Sequence, residues 1–205
     1  MAHKKVYIIR HGQTSGNALR KYIGRRSDES LSEEGLSMAY DMQKHMDEFI
    51  LCALDRVCAS PMKRAADTAR ILFPGNDLSL IEDLAEMDFG IFEGKDHQQL
   101  CQDERYIRWI DSGGKYKIPE GEGLEDFRIR SVNGFSEALG NKDMAENIAI
   151  VCHGGTIMAV MSAMTGNDYY EFLTENLGGY LIDLEMDDEG IHDFTYHRFY
   201  SGDHT

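Results

Sequence analysis

Hydrophobic positions along this chain fall into short continuous runs separated by longer segments whose apolar residues recur every three or four positions. The first run, Val6-Tyr7-Ile8-Ile9, is apolar throughout and rich in β-branched residues. That pattern predicts a strand buried on both faces. Arg56-Val57-Cys58-Ala59 predicts a second short strand, Leu78 to Leu84 a third, and Asn147-Ile148-Ala149-Ile150-Val151-Cys152 another. Between them lie the helical patterns. Thr14 to about Tyr22 predicts a short helix. Ser32 reads as an N-cap with Glu33 and Glu34 in the favourable first turn, and Leu36, Ala39, Met42, Met46, Phe49 and Ile50 follow at helical steps. Ser60-Pro61 predicts a helix start, serine as N-cap and proline at the first position, for a helix ending at Pro74-Gly75. Glu125 to about Leu139 and Thr156 to Met164 predict two more helices. Gly179 to Met186 and Ile191 to Phe199 predict a terminal hairpin about the 187–190 turn. Strands alternating with helices predict an α/β fold, three layers α/β/α around a mainly parallel central sheet.

Residues 95–125 break the rhythm. They hold the only tryptophan, Trp109, a Gly113-Gly114 pair and the turn Pro119-Glu120-Gly121-Glu122-Gly123. At this length they predict a cap-like excursion within a single domain spanning 1–205, because so short a piece holds no core of its own.

Charge narrows the partners. With 36 acidic against 21 basic residues the net charge is −15, which disfavours nucleic acid and anionic membranes. An anionic ligand would need locally placed cations, so individual arginines carry information. The four cysteines (Cys52, Cys58, Cys101, Cys152) lack metal-binding spacing, and three lie in apolar segments, as reduced thiols do. No leader-like segment and no membrane-length apolar run is visible, so a cytoplasmic location is expected.

The candidate chemistry sits where strands stop. Ile9-Arg10-His11-Gly12 and Val151-Cys152-His153-Gly154-Gly155 end two strands alike, and Arg64 lies just past a third. Parallel strands share direction, so these ends open on one sheet edge, where α/β proteins bind ligands. Two imidazoles and two guanidiniums there describe a dianion site, with helix N-termini adding N–H donors. Arg10 and His11 taken alone read equally well as ordinary strand-end polar residues.

Taken together, the motifs resemble those of the histidine phosphatase superfamily, in its phosphoglycerate mutase-like branch. Those carrying the resemblance are Arg10-His11-Gly12 with Asn17, Ser60-Pro61-x-x-Arg64-Ala65-x-x-Thr68-Ala69, Glu86-x-x-x-Gly90-x-x-Glu93-Gly94, and His153-Gly154. The resemblance implies a phosphoglycerate mutase-like fold and catalysis by His11 and Glu86. His11 would become a phosphohistidine. Glu86 would act as acid and then base. Arg10, Asn17, Arg64 and His153 would bind the phosphoryl group of a small phosphorylated substrate. Neither metal nor other cofactor is implied.

Residues 84–94 resemble the α-ribazole phosphatase-type members most, which implies a phosphatase acting on a small phosphomonoester such as α-ribazole 5'-phosphate. Phosphoglycerate mutase-type transfer is the alternative, and a catalytically silent phosphate-binding module the next. Two positions depart from the family pattern: Phe92 replaces a common tryptophan, and Gly123 a hydroxyl residue. A rival chemistry uses Cys58 as nucleophile, since Cys58 and Arg64 satisfy a C-x5-R spacing. Asp88 competes with Glu86 for the acid role. Tyr106, Trp109 and Tyr116 read either as a packing cluster or as a stacking surface for an aromatic leaving group. His3, His45, His97, His192, His197 and His204 lack comparable context.

Overall fold

The backbone runs first through the central strand of the sheet. In the computed structural model, which describes residues 1–46, 50, 53–140 and 145–199, β1 is Ala2–Arg10, with Val6 to Ile9 buried as predicted. A short helix α1 (Ser15–Ala18) and a longer one, α2 (Glu33–Lys44), lead to β2 (Arg56–Ala59). Helix α3 (Lys63–Leu72) and the brief strand β3 (Leu78–Leu80) follow. The excursion carries α4 (His97–Leu100) and α5 (Glu104–Asp111). Then come α6 (Leu124–Leu139), β4 (Asn147–Cys152), α7 (Gly154–Thr165) and the hairpin β5 (Gly179–Asp187) and β6 (Gly190–Phe199).

The six strands form one sheet in the order β3-β2-β4-β1-β5-β6. The first four run parallel and the hairpin adds two antiparallel strands beside β1. Alternation along β1 and β4 splits the core in two. Val6, Ile8, Ile148 and Ile150 face α6 and α7, through Phe135, Leu139, Ile157 and Met161. Tyr7, Ile9, Ala149 and Val151 face α2 and α3, through Ala39, Met42, Ala65 and Leu72. This is the three-layer α/β/α arrangement with a mainly parallel sheet.

Register builds the site before any side chain is considered. Arg10 pairs with Cys152 and Ala59 with Val151. Each chain therefore leaves the sheet at one level, and the next residues, His11, Ser60 and His153, are neighbours. Backbone bonds from His11 N to the Cys152 carbonyl (3.0 Å) and from Ser60 N to the Val151 carbonyl (3.0 Å) hold that level.

Several boundaries differ from the sequence reading. The helix predicted to start at Ser60-Pro61 starts at Lys63, with Met62 as N-cap. The Ser60 hydroxyl takes the Met62 N–H (3.3 Å) and meets His153, so it serves the site rather than the helix. The third strand stops at Leu80, and Glu82–Leu84 turns into a single 3-10 turn. The 14–22 helix is only Ser15–Ala18, because Arg20 takes a left-handed φ of 53°. In the second helix Ile50 lies beyond the helical residues, whereas Phe49, with Cys52 and His204, lies outside the described residues.

The excursion is not wholly irregular. Asp103 caps α5, whose Tyr106 and Trp109 are buried one turn apart. With Met87, Phe92, Leu100 and Ile118 they form an aromatic-rich cluster, closed from the main domain by Phe127 and Ala159. Tyr22 joins it through a hydroxyl contact to Tyr106 at 2.8 Å. Tyr116 is half-buried at its margin under the Arg108 guanidinium, 5.2 Å from ring centre to Cζ.

Candidate active site

His11 is buried at the end of β1, and its ring is oriented by what lies on each side. Nδ1 stands 2.7 Å from the Gly12 carbonyl, which can only accept, so Nδ1 carries the proton. Nε2 then keeps its lone pair, toward which Arg64 donates Nε–H at 3.2 Å. Burial first, and then Arg64 and Arg10, hold the His11 pKa well below the ordinary 6.5. Thr68 fixes the Gly12 peptide, accepting Gly12 N–H at 3.0 Å and donating to the Arg64 carbonyl at 2.6 Å. The imidazole is neutral, and the lone pair of Nε2 faces the Arg64 guanidinium.

Arg64 comes from the first turn of α3 and is fully buried. Its Nη1 donates to the carbonyl of Ser27 (2.8 Å), and its Nη2 to those of Ile23 (3.3 Å) and Gly24 (3.2 Å). The 23–27 loop is itself held by Glu93, whose carboxylate accepts from Gly24 N (3.1 Å), Phe89 N (3.2 Å) and Ser27 Oγ (2.5 Å). Sequence reasoning placed Glu93 in a motif and gave it no role.

His153 caps α7 and is buried, its ring centre 5.1 Å from that of His11. Nε2 meets the Ser60 hydroxyl at 2.7 Å, while Nδ1 is buried with no partner among the described residues. Burial and the flanking Arg64, His11 and Arg10 also hold this pKa well below 6.5. Arg10 donates Nη1–H to the Thr174 carbonyl at 2.6 Å, and its Nε is likewise buried and unpartnered. Native proteins pair nearly all such donors. Two orphans in one site describe a place for an acceptor-rich ligand.

Glu86 lies beyond the 3-10 turn, buried between α6 and α7. Oε1 accepts Met87 N–H at 2.9 Å and Oε2 accepts Gly155 N–H at 3.1 Å. Burial raises its pKa above 4.5, opposed by those two bonds and by Arg64 and Arg10. Gly155 is needed here, since a Cβ would stand 2.3 Å from Glu86 Oε1. Arg130 holds the segment from behind, donating to the carbonyls of Asp83 (3.0 Å), Ala85 (2.9 Å) and Glu86 (3.3 Å) while paired bidentately with Glu122.

Asn17 is partly committed elsewhere. Its Oδ1 accepts Thr14 N–H at 3.2 Å in a capping box and Asn176 Nδ2–H at 3.2 Å, leaving only its own N–H donors for a ligand. Asn176 also donates to the His11 carbonyl at 2.9 Å; no pattern in the sequence pointed to it. Asp88 is occupied apart from Glu86, accepting from Arg26 Nε (3.0 Å) and Gly90 N (2.8 Å). Cys58 is buried in the sheet core among Ile8, Ile150 and Leu84. His3, His45, His97, His192 and His197 are exposed.

Beyond Gly155 the site opens into an apolar cavity of about 150 Å³ under the excursion, lined by aromatic residues that include Tyr22, Phe89 and Trp109.

Known proteins resemble this chain over most of its length. The profile of the histidine phosphatase superfamily (branch 1) matches residues 6–191. A Hydrogenobacter thermophilus protein provisionally assigned as phosphoserine phosphatase 2 is 31% identical over 192 residues, covering 92% of this chain and 87% of that protein. The adenosylcobalamin/alpha-ribazole phosphatase of Salmonella typhimurium is 28% identical over 164 residues, 78% of this chain and 79% of that one. Among solved structures, the alpha-ribazole phosphatase from Shigella flexneri superposes with a TM-score of 0.77 at 25% identity, over 91% of this chain and 93% of its own.

Proposed function

Since the chain belongs to the histidine phosphatase superfamily, branch 1, we propose that it hydrolyses small phosphomonoesters through a phosphohistidine formed on His11 Nε2. Two facts together carry the reading. His11 is held neutral with its lone pair on Nε2, and the buried donors Arg10 Nε and His153 Nδ1 beside it have no partner among the described residues.

A phosphoryl group entering the site takes the Arg64 Nε–H onto an oxygen, which frees the Nε2 lone pair. Arg10, Arg64, the Asn17 amide and His153 bind the phosphoryl oxygens and stabilise charge in the transition state. Ser60 donating to His153 Nε2 leaves the imidazole proton on Nδ1, where it serves as a donor. Nε2 attacks phosphorus, the ester P–O bond breaks, and the leaving alkoxide takes a proton from Glu86. The Glu86 carboxylate then accepts a proton from water attacking the phosphohistidine. The N–P bond breaks, and phosphate leaves. The raised Glu86 pKa suits a group that must begin as an acid.

The names of the relatives supply the first esters to try, α-ribazole 5'-phosphate and phosphoserine. The test is p-nitrophenyl phosphate hydrolysis without added metal, in the wild-type chain, His11→Ala and Cys58→Ser. Turnover in wild type and Cys58→Ser, with none in His11→Ala, is expected. Activity that survives His11→Ala, or 3-phosphoglycerate mutase activity that depends on 2,3-bisphosphoglycerate, overturns the hydrolase reading.

A further inference from the structure

The cavity beyond Gly155 has no part in the proposed chemistry so far, yet it borders both residues that hold the proposed acid. Its wall includes Met87 and Gly155, the residues whose N–H groups hold the two Glu86 oxygens. A leaving group protonated by Glu86 therefore departs toward this space. The rest of the wall includes Tyr22, Phe89, Trp109, Met158, Tyr169 and Tyr170, and among the described residues no charged side chain lines it. The tyrosines do not supply charge: burial pushes the Tyr22 and Tyr169 phenols up. Tyr22 is already bonded to Tyr106 and Tyr169 to the Gly155 carbonyl.

A carboxylate in this pocket would lose hydration with no cation to meet it, in a protein of net charge −15. A flat apolar group has the opposite balance. A cavity of about 150 Å³ holds roughly one benzene ring, and the tyrosine, phenylalanine and tryptophan faces stack on it.

One buried side-chain polar atom in the wall has no hydrogen-bond partner among the described residues. Trp109 is buried in the excursion, and its indole Nε1 is unpaired among the described residues. Gly114 stands beside it. A Cβ built there would lie 3.8 Å from Nε1 and 3.1 Å from the Tyr170 hydroxyl, and φ at Gly114 is +83°. Both neighbours line the same cavity. The missing side chain leaves the edge of the indole open on the cavity side.

Building on the hydrolase reading, we propose that the leaving group of the substrate carries one flat, uncharged ring, with a hydrogen-bond acceptor at its far edge that receives Trp109 Nε1–H. The short carboxylate-bearing alcohols, serine and glycerate, do not fit this site.

Two measurements test it. The first compares kcat/KM for 4-pyridylmethyl phosphate, benzyl phosphate and phosphoserine in mildly alkaline buffer, where the pyridine is uncharged. Benzyl phosphate exceeds phosphoserine by about tenfold, from ring burial. The pyridyl ester exceeds benzyl phosphate by about fivefold, from one neutral hydrogen bond. In Trp109→Phe the pyridyl advantage falls to about one. Equal or better use of phosphoserine, or a pyridyl advantage unchanged in Trp109→Phe, overturns the proposal. Should p-nitrophenyl phosphate and all three esters go unhydrolysed, the hydrolase reading fails instead.

The second measurement needs neither turnover nor a variant. Trp109 is the only tryptophan, so the protein has a single indole N–H resonance. Titration with 4-pyridylmethanol shifts that resonance downfield and saturates, whereas serine leaves it in place. A resonance unmoved by the pyridine alcohol, or moved alike by serine, overturns the pocket assignment.

Discussion

Arg64 rests its Nε–H on the lone pair of His11 Nε2 at 3.2 Å, with its other nitrogens fixed on three backbone carbonyls. The guanidinium is therefore immobile before any ligand arrives, and it points at the atom proposed to attack. Lysine has neither the planar fork nor enough donors to replace it. Arg64→Lys is expected to lower kcat/KM by about 10²- to 10³-fold. It also leaves buried carbonyls unpaired, at about 1–3 kcal/mol each, so thermal unfolding moves down with activity. Steady-state kinetics and a melting curve check both; activity within tenfold of wild type contradicts the role.

Glu93 acts one step further back, through the 23–27 loop. Removing its carboxylate in Glu93→Ala frees Gly24 N–H, Phe89 N–H and the Ser27 hydroxyl, and the carbonyls that hold Arg64 lose their fixed position. The expected loss in kcat/KM is about tenfold. Because the effect passes through Arg64, the same change in an Arg64→Ala background is expected to cost much less. A double-mutant cycle reads this directly, and strict additivity counts against the chain of support.

Gly155→Ala sets a methyl group 2.3 Å from Glu86 Oε1 and 3.3 Å from the Phe127 ring. The acid moves while His11 and the arginines stay. The loss is expected to depend on the leaving group. An alkyl phosphate, whose alkoxide must be protonated, loses about 10²-fold or more, and p-nitrophenyl phosphate far less. Glu86→Gln is expected to show the same split. Equal losses on both substrates in both variants would remove Glu86 from the acid role.

His11 and His153 also set how stability depends on pH. Burial first, then the arginines, depress both folded-state values below 6.5. The unfolded chain takes up protons at these positions near pH 6.5 while the folded chain does not. Stability is therefore full above that pH and falls as pH drops below it, until the folded values are reached. Each site contributes a slope of about 1.4 kcal/mol per pH unit. Glu86 works the other way: its raised value gives stability that is complete below 4.5 and lost as pH rises through the folded value. Chemical denaturation from pH 7.5 down to 5.5 is expected to give a shallower slope for His153→Gln than for wild type.

Much of this was legible in the sequence, because strands buried on both faces leave no polar positions to confuse the pattern. Val6 to Ile9 and Ile148 to Cys152 marked their own ends, and those ends carried His11 and His153. What stayed hidden depends on contacts distant in sequence. Ser60 has the signature of an N-cap, yet its hydroxyl is drawn to His153, 93 positions away, so the helix begins later. Asn176 lies between elements with nothing around it to suggest a bond to the His11 carbonyl. Glu93 was one carboxylate among 36 acidic residues, and only the folded loop reveals that it holds Arg64 in place. Helix α5 was obscured because its two buried aromatics face the excursion rather than the sheet.

The central claim is the covalent step at His11. Wild-type chain mixed with a ³²P-labelled phosphomonoester and quenched in base within the first turnover is expected to retain label that is stable to alkali and lost in acid. Peptide mapping is expected to place that label on His11. No label is expected on His11→Ala, and Cys58→Ser labels like wild type. Label on any other residue, or turnover with no phosphoenzyme at any quench time, would contradict the account.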